Sequence, residues 1–210
     1  MRQKKIVVVD TGAGNIPSVL RALISVGCDV RVSNSQTEIQ SADALVLPGV
    51  GAFPELMKNL SHDGLMELLK KMICEGKHVL GICVGMQVLT LGSEEFTFTK
   101  GFELISTKVS SLQNLGLKHR RVPHVGWNEV HIADDLSVNH PLNVIKARHV
   151  YFMHSFALPQ NSFGAIGFTE YEIQFCSAIQ INNTIGVQFH PEKSHKVGRD
   201  FLSAWAASLL

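Results

Sequence analysis

No apolar run in this 210-residue chain reaches the ~18 residues that a membrane-spanning helix needs. Charge is scarce and balanced. Nineteen Lys and Arg against eighteen Asp and Glu leave a net +1, too little of one sign for a nucleic-acid or anionic membrane surface. Cysteine is sparse too. Cys28, Cys74, Cys83 and Cys176 contain no CxxC pair and no metal-ligand spacing, which argues against a disulfide scaffold or a bound metal. The set fits a reduced cytoplasm, with three small buried thiols and one functional one. His119, His124, His131, His140 and His149 form no ligand-spaced cluster either and read as solvated or structural. Internal repeats, low-complexity tracts, linkers and a P-loop are all missing. The opening Met1-Arg2-Gln3-Lys4-Lys5 is followed by only four apolar residues before Asp10, which reads as a first strand and not a signal peptide.

What is present suits one α/β domain over residues 1–210. With 45% of residues hydrophobic and 18% charged, the chain can bury a large core. Residues 5–10 read as a strand, and Ile16 to Val26 as a helix opened by Pro17 and stopped by Gly27. Cys28 to Val32 and Ala44 to Leu47 follow as strands, then helical pattern over Pro54 to Leu60 and from Asp63, as cap, to Cys74. This order predicts an open, mostly parallel sheet with flanking helices. Beyond Leu91 the texture changes to β-type runs at 102–109, 127–132, 150–153, 165–169, 177–181 and 185–189. A hairpin is expected at Asn182-Asn183-Thr184 and a closing helix from Lys196 to Leu209. The second half therefore extends the sheet with antiparallel strands. Gly12 and Gly14 begin a dinucleotide fingerprint, but Pro17 stands where its third glycine belongs, so the loop reads as a tight β–α turn.

The most informative stretch is Gly81-Ile82-Cys83-Val84-Gly85-Met86-Gln87. It joins an apolar run, His78-Val79-Leu80, to Val88-Leu89-Thr90-Leu91, which can continue as a helix. A reactive side chain with glycines two residues to either side, between strand and helix, is the pattern of a nucleophile elbow. The glycines are expected because Cβ atoms there would collide with the neighbouring strand and helix. A helix N-terminus beneath the sulfur favours its thiolate.

Two further segments complete a site. His190-Pro191-Glu192 ends the apolar run Val187-Gln188-Phe189, and the proline stiffens the turn. Here Glu192 can orient an imidazole while His190 exchanges a proton with Cys83 and a leaving amine. Pro48-Gly49-Val50-Gly51 ends the neighbouring strand, where one of its backbone N–H groups, with that of Val84, can form an oxyanion hole. Losing such a donor typically costs ~2.7–4 kcal/mol of transition-state stabilisation.

The GICVGMQ elbow, the PGVGAF loop and the FHPEKS segment resemble the class I, triad-type glutamine amidotransferases. The opening Asp10-Thr11-Gly12-Ala13-Gly14-Asn15, the segment Val122-Pro123-His124-Val125-Gly126-Trp127-Asn128 and the segment Tyr151-Phe152-Met153-His154-Ser155-Phe156 are similar to the HisH family, the glutaminase subunits of imidazole glycerol phosphate synthases. The resemblance spans nearly the whole chain. It implies hydrolysis of L-glutamine to glutamate and ammonia through a thioester on Cys83, with His190 and Glu192 completing a triad and no cofactor. It implies an oxyanion strand at Gly49, Val50 and Gly51, and contacts from Gln87, His154, Ser155 and Phe156 to the amino-acid head of glutamine. It also implies a heterodimer with a HisF-type (β/α)8 cyclase, with Asn15, Trp127 and Lys193 near the interface. That cyclase uses the ammonia to convert phosphoribulosyl aminoimidazole carboxamide ribonucleotide (PRFAR) to imidazole glycerol phosphate and AICAR.

The residues agree with such a division of labour, because the chain holds a hydrolytic site but no evident acceptor site. Two segments depart from the family pattern. Gly101-Phe102-Glu103-Leu104 stands in place of a GLGL-type segment, and His154-Ser155-Phe156 in place of HSY. Neither touches the triad. They leave open a related glutaminase that supplies a synthase amidating a surface-polysaccharide sugar. A non-catalytic binding protein on the same fold is the third alternative, opposed by the intact Cys83, His190 and Glu192.

Overall fold

The computed structural model describes residues 3–12 and 15–209. In chain order the elements are β1 (Lys5–Val9), α1 (Ile16–Ser25), β2 (Asp29–Ser33), α2 (Gln36–Ser41), β3 (Ala44–Gly49), α3 (Phe53–Leu60), α4 (Leu65–Cys74), β4 (His78–Cys83) and α5 (Val84–Gln87). There follow β5 (Thr90–Ser93), β6 (Thr99–Lys100), β7 (Ile105–Ser111), β8 (His124–Ile132), β9 (Arg148–His154), β10 (Phe156–Pro159), β11 (Ala165–Tyr171), β12 (Ile173–Ile181), β13 (Thr184–Val187) and α6 (His195–Ala207).

Strands β2, β1, β3, β4 and β13 run parallel in that order. The central members are apolar on both faces: Ile6, Val7, Val8, Val9 and every residue of β3 are buried. Such continuous runs belong to parallel strands covered by helices on both sides. Helix α1 starts with a proline in its first turn and buries Val19 and Leu23; α4 buries Leu65, Leu69, Met72 and Ile73. Beyond β13 the sheet turns antiparallel through β12, β10 and β7, and β12 also carries the β11–β8–β9 arm. The expected α/β architecture with an antiparallel extension is therefore present. The expected hairpin is present as well: β12 and β13 pair antiparallel across a turn with Asn182 at φ 50°. No helix among the described residues is long and apolar enough to cross a membrane.

Several local expectations fail. The helix after Cys83 lasts one turn, not through Leu91. The carbonyls of Val88, Leu89 and Thr90 accept hydrogen bonds from Phe102, Leu104, Ile105 and Glu103 instead of from the next helical turn. Asp63 does not cap α4. It sits in a 3-10 turn at φ 54°, and Gly64 precedes the helix. Helix α2 and strands β6 and β10 lie where no element was expected, and β5 takes the last two residues of the expected helix, Thr90 and Leu91. Cys74 is exposed and Cys28 half-buried, so only Cys83 and Cys176 are buried thiols. Gly14 lies outside the described residues.

Candidate active site

The site forms where three parallel strands end side by side. Gly49 pairs with Cys83 across β3 and β4, and Ile82 pairs with Val187 across β4 and β13. One step further on, Cys83 and Gln188 come abreast, since neighbouring strands lie about 4.8 Å apart. Cys83 itself has φ 53° and ψ −111°. For a residue with a Cβ this costs on the order of 1–3 kcal/mol and persists only where the surroundings enforce it.

Close backbone packing enforces it. A Cβ on Gly85 would fall inside the Leu47 carbonyl oxygen, and one on Gly49 would strike the Gly85 nitrogen. A Cβ on Gly81 would come within 2.6 Å of the Gly85 oxygen. The three glycines let β3, β4 and the single turn of α5 stack backbone on backbone, as the elbow reading required. Because α5 is only four residues long, little helix dipole stands behind the sulfur.

His190 enters from the turn after β13. Its N–H donates to the Tyr151 carbonyl at 2.8 Å. Ser194 Oγ donates to the His190 carbonyl at 2.7 Å and accepts from the Tyr151 N–H at 2.9 Å. This clamp ties the turn to β9. Gly198 packs so closely on the Pro191 carbonyl that a Cβ there would overlap it, which seats α6 against the same turn. Glu192 Oε1 lies 2.8 Å from His190 Nδ1, and both side chains are 1% exposed. With Nδ1 committed to the carboxylate, the buried Nε2 makes no hydrogen bond and is the nitrogen available to Cys83. Burial pushes the His190 pKa down, but the Cys83 sulfur and then the Glu192 carboxylate outweigh it and hold the pKa up at about 9. At neutral pH the imidazole is therefore cationic beside the sulfur.

This cation has a measurable consequence. The folded protein holds a proton on His190 that the unfolded chain, titrating near 6.5, gives up. The associated stability is present in full below about pH 6.5 and is lost as pH rises through about 9. Thermal unfolding across this window should show the wild-type midpoint falling relative to that of His190→Asn. Parallel curves would contradict the assigned charge.

An open cavity of about 170 Å³ lies over the sulfur, smaller than the ~300–1,000 Å³ usual for drug-sized ligands. Val50, Gly51, Cys83, Val84, Gln87, His154, Ser155, Phe156 and His190 line it, so most of the residues singled out from sequence meet here. Gly49 lies behind Val84 and Gly85, and Glu192 behind His190. His154 stays neutral: burial, then the neighbouring His124, push its pKa down to about 3. Its Nδ1 donates to the Phe156 carbonyl at 2.9 Å, while Nε2 lies 3.0 Å from His124 Nδ1. His124 is thus a buried structural histidine, stacked on Tyr171 and Phe152. Among the described residues no cluster of His, Cys, Asp or Glu could hold a metal ion.

Sequence reasoning missed three residues here. Glu95 supplies the carboxylate of the cavity lining and accepts from the Phe53 N–H at 2.8 Å. Met153 lines the wall, its carbonyl 4.0 Å from the sulfur. Gln188, fully buried, places its amide nitrogen 3.4 Å from Cys83 Sγ. An amide inside the apolar run Val187-Gln188-Phe189 was the available signal.

Asn15, Trp127 and Lys193 lie outside the cavity. Trp127 stacks on His195 with ring centroids 5.1 Å apart and meets Tyr151 edge-on at 5.9 Å. Lys193 Nζ sits 5.7 Å above the Tyr151 ring. Asn15 accepts from Ser18 and Val19 at the start of α1, which packs on the Pro191–Lys193 turn. The outward faces of β8 and β9 pair Val125 with Met153 and Trp127 with Tyr151; Val125, Trp127 and Met153 are exposed.

The family model "Glutamine amidotransferase class-I" matches residues 7–206. The HisH subunit of imidazole glycerol phosphate synthase from Lactococcus lactis subsp. lactis (strain IL1403) is 38% identical over 203 residues, 96% of this chain and 98% of that one. The same-named subunit from Methanosarcina barkeri (strain Fusaro / DSM 804) is 40% identical over 203 residues, covering 95% and 96%. The solved structure of PurLQS from Thermotoga maritima shares the fold with a TM-score of 0.75 at 13% identity, covering all of both chains. A strained cysteine elbow, a histidine–carboxylate pair beside it and a match of this extent lead to one assignment: the chain belongs to the class-I glutamine amidotransferase family.

Proposed function

We propose that this protein is the glutaminase subunit of a cytoplasmic imidazole glycerol phosphate synthase, a single domain over residues 1–210 working as a heterodimer with a HisF-type (β/α)8 cyclase. The observation that carries the reading is the Cys83 sulfur at the cavity wall, with a cationic His190 held by Glu192 beside it. The proton shared by the Cys83–His190 pair rests on His190, and the sulfur attacks the side-chain carbonyl carbon of L-glutamine. N–H groups from the segment Gly49-Val50-Gly51 and from Val84 hold the oxyanion. As the C–N bond breaks, His190 returns the proton to the nitrogen and ammonia leaves. Water, deprotonated by His190, then opens the Cys83 thioester and glutamate departs. Gln87, His154, Ser155 and Phe156 hold the amino-acid head, with Glu95 placed for its ammonium group. The ammonia passes to the cyclase, which converts PRFAR to imidazole glycerol phosphate and AICAR in histidine biosynthesis.

The names of the relatives support this acceptor over a sugar-amidating synthase. The exposed apolar strip of Val125, Trp127 and Met153 beside the cavity, next to Tyr151 with Lys193 over its ring, supports docking of the cyclase there. Complementation of a histidine auxotroph lacking the glutaminase subunit tests the whole reading. Growth without histidine is expected, and failure with a soluble, folded protein would remove this acceptor.

Docking also serves as the gate: the oxyanion segment after Pro48 aligns only when the cyclase binds. Glutamine turnover is therefore expected to rise on adding the cyclase. Trp127→Ala should cut that stimulated rate about tenfold or more at limiting cyclase, in the manner of an interface hot spot, without changing the rate of the isolated chain. Equal rates with and without cyclase would remove the gate.

A further inference from the structure

Gln188 takes no part in the chemistry above, yet its side chain touches the reacting sulfur. The hydrogen bonds around it determine which way it points. The Phe156 carbonyl can only accept, and the end of the Gln87 side chain lies 3.0 Å from it, so that end is the amide nitrogen. The second proton of this nitrogen points at the Gln188 side chain 2.9 Å away, so the group there is the Gln188 oxygen. The other end of Gln188, 3.4 Å from Cys83 Sγ, is then nitrogen. A backbone carbonyl thus sets the direction of a two-amide relay that ends with an N–H aimed at the sulfur. All three side chains are buried: Gln87 is 2% exposed, Gln188 0% and Cys83 4%. An N–H donor facing a sulfur stabilises a thiolate more than a thiol, and more strongly in a poorly solvated site.

We propose that Gln188 is a thiolate-holding residue of this active site, oriented by Gln87, and that it supplies what the short helix α5, with too little dipole for the task, does not. The inference rests on Cys83 being the nucleophile of the proposed glutaminase. It assigns Gln87 a positioning duty besides any contact with glutamine. The charged groups facing the cavity over the sulfur are His190, Glu192 behind it and Glu95 on the wall, and His154 there is neutral; none of them is altered by a substitution at Gln188.

The test is the pH dependence of Cys83 alkylation by iodoacetamide, read by peptide mass spectrometry on the full chain, with the exposed Cys74 as a reference thiol in the same molecule. Gln188→Met keeps the length and removes the donor; Gln188→Glu keeps the shape and presents an anion. The Cys83 curve should move about one pH unit upward in the first and further in the second, with the Cys74 curve unmoved. A role in packing alone would lower the unfolding temperature and leave the curve in place. Gln87→Met, which frees Gln188 to turn, should move the curve in the same direction by less, and it supplies the answer if the changes at 188 do not fold. Curves superimposable on the wild type in the folded variants overturn the proposal. Alkylation does not require glutamine, so the two readings fail separately. A shifted curve in a protein that never hydrolyses glutamine would spare Gln188 and sink the glutaminase, and an active glutaminase with unshifted curves would do the reverse.

Discussion

Cys83→Ala is expected to lower glutamine-dependent product formation by the assembled synthase by about four orders of magnitude or more, the usual consequence of deleting a nucleophile. Without the sulfur no thioester forms, and the cavity and the His190–Glu192 pair, which remain, cannot substitute for it. The same complex supplied with ammonium salt should turn over at the wild-type rate, because the proposed function puts the acceptor chemistry in the cyclase. The paired assay separates loss of the nucleophile from loss of the assembly. Retention of glutamine-dependent activity within tenfold of wild type would show that another group attacks the amide.

Gly85→Ala should produce one of the largest structural effects of a single added methyl group among the described glycines. The added carbon overlaps the Leu47 carbonyl oxygen and comes 2.8 Å from the Leu47 carbon, both part of a fully buried strand. No side-chain rotation relieves a clash between a Cβ and a backbone, so α5 must move away from β3. That movement releases the enforced φ of 53° at Cys83. A destabilisation of about 3 kcal/mol or more is expected, lowering the unfolding midpoint by roughly 6–12 °C for a chain of this size. Glutamine hydrolysis should fall with it even where the variant is fully folded, because the sulfur no longer projects into the cavity. Calorimetry and activity measured on one preparation check both. An unchanged midpoint would mean that the elbow does not depend on the close stack of Gly49, Gly81 and Gly85.

Much of this site was legible along the chain because its parts are local. The elbow needs glycines two residues before and after the cysteine, and the orienting carboxylate lies two residues beyond its histidine, so spacing reports geometry directly. The buried parallel strands were legible for a similar reason, as unbroken apolar runs. The short segment Val88–Leu91 was misread because four apolar residues suit a buried helix or a buried strand equally well. Strand β7 and the residues before it claim its carbonyls, and nothing local announces a partner at positions 102–105. Glu95 was missed on the same grounds, since it reaches the cavity through a bond to Phe53, 42 residues away. The apolar strip of Val125, Trp127 and Met153 is visible only once β8 and β9 are in register, when alternate residues separate into a buried and an outward face.

The amino-acid sequence alone determined the fold class and singled out Cys83, His190 and Glu192 as the residues proposed for nucleophile, base and orienting carboxylate, because each is written in the spacing of a few neighbouring residues. Tertiary structure decided the charge on His190, the direction of the Gln87–Gln188 relay and the exposed apolar strip of Val125, Trp127 and Met153. Those depend on burial and on hydrogen bonds between groups as far apart as residues 83 and 188, and chain position encodes neither until the strands are laid side by side.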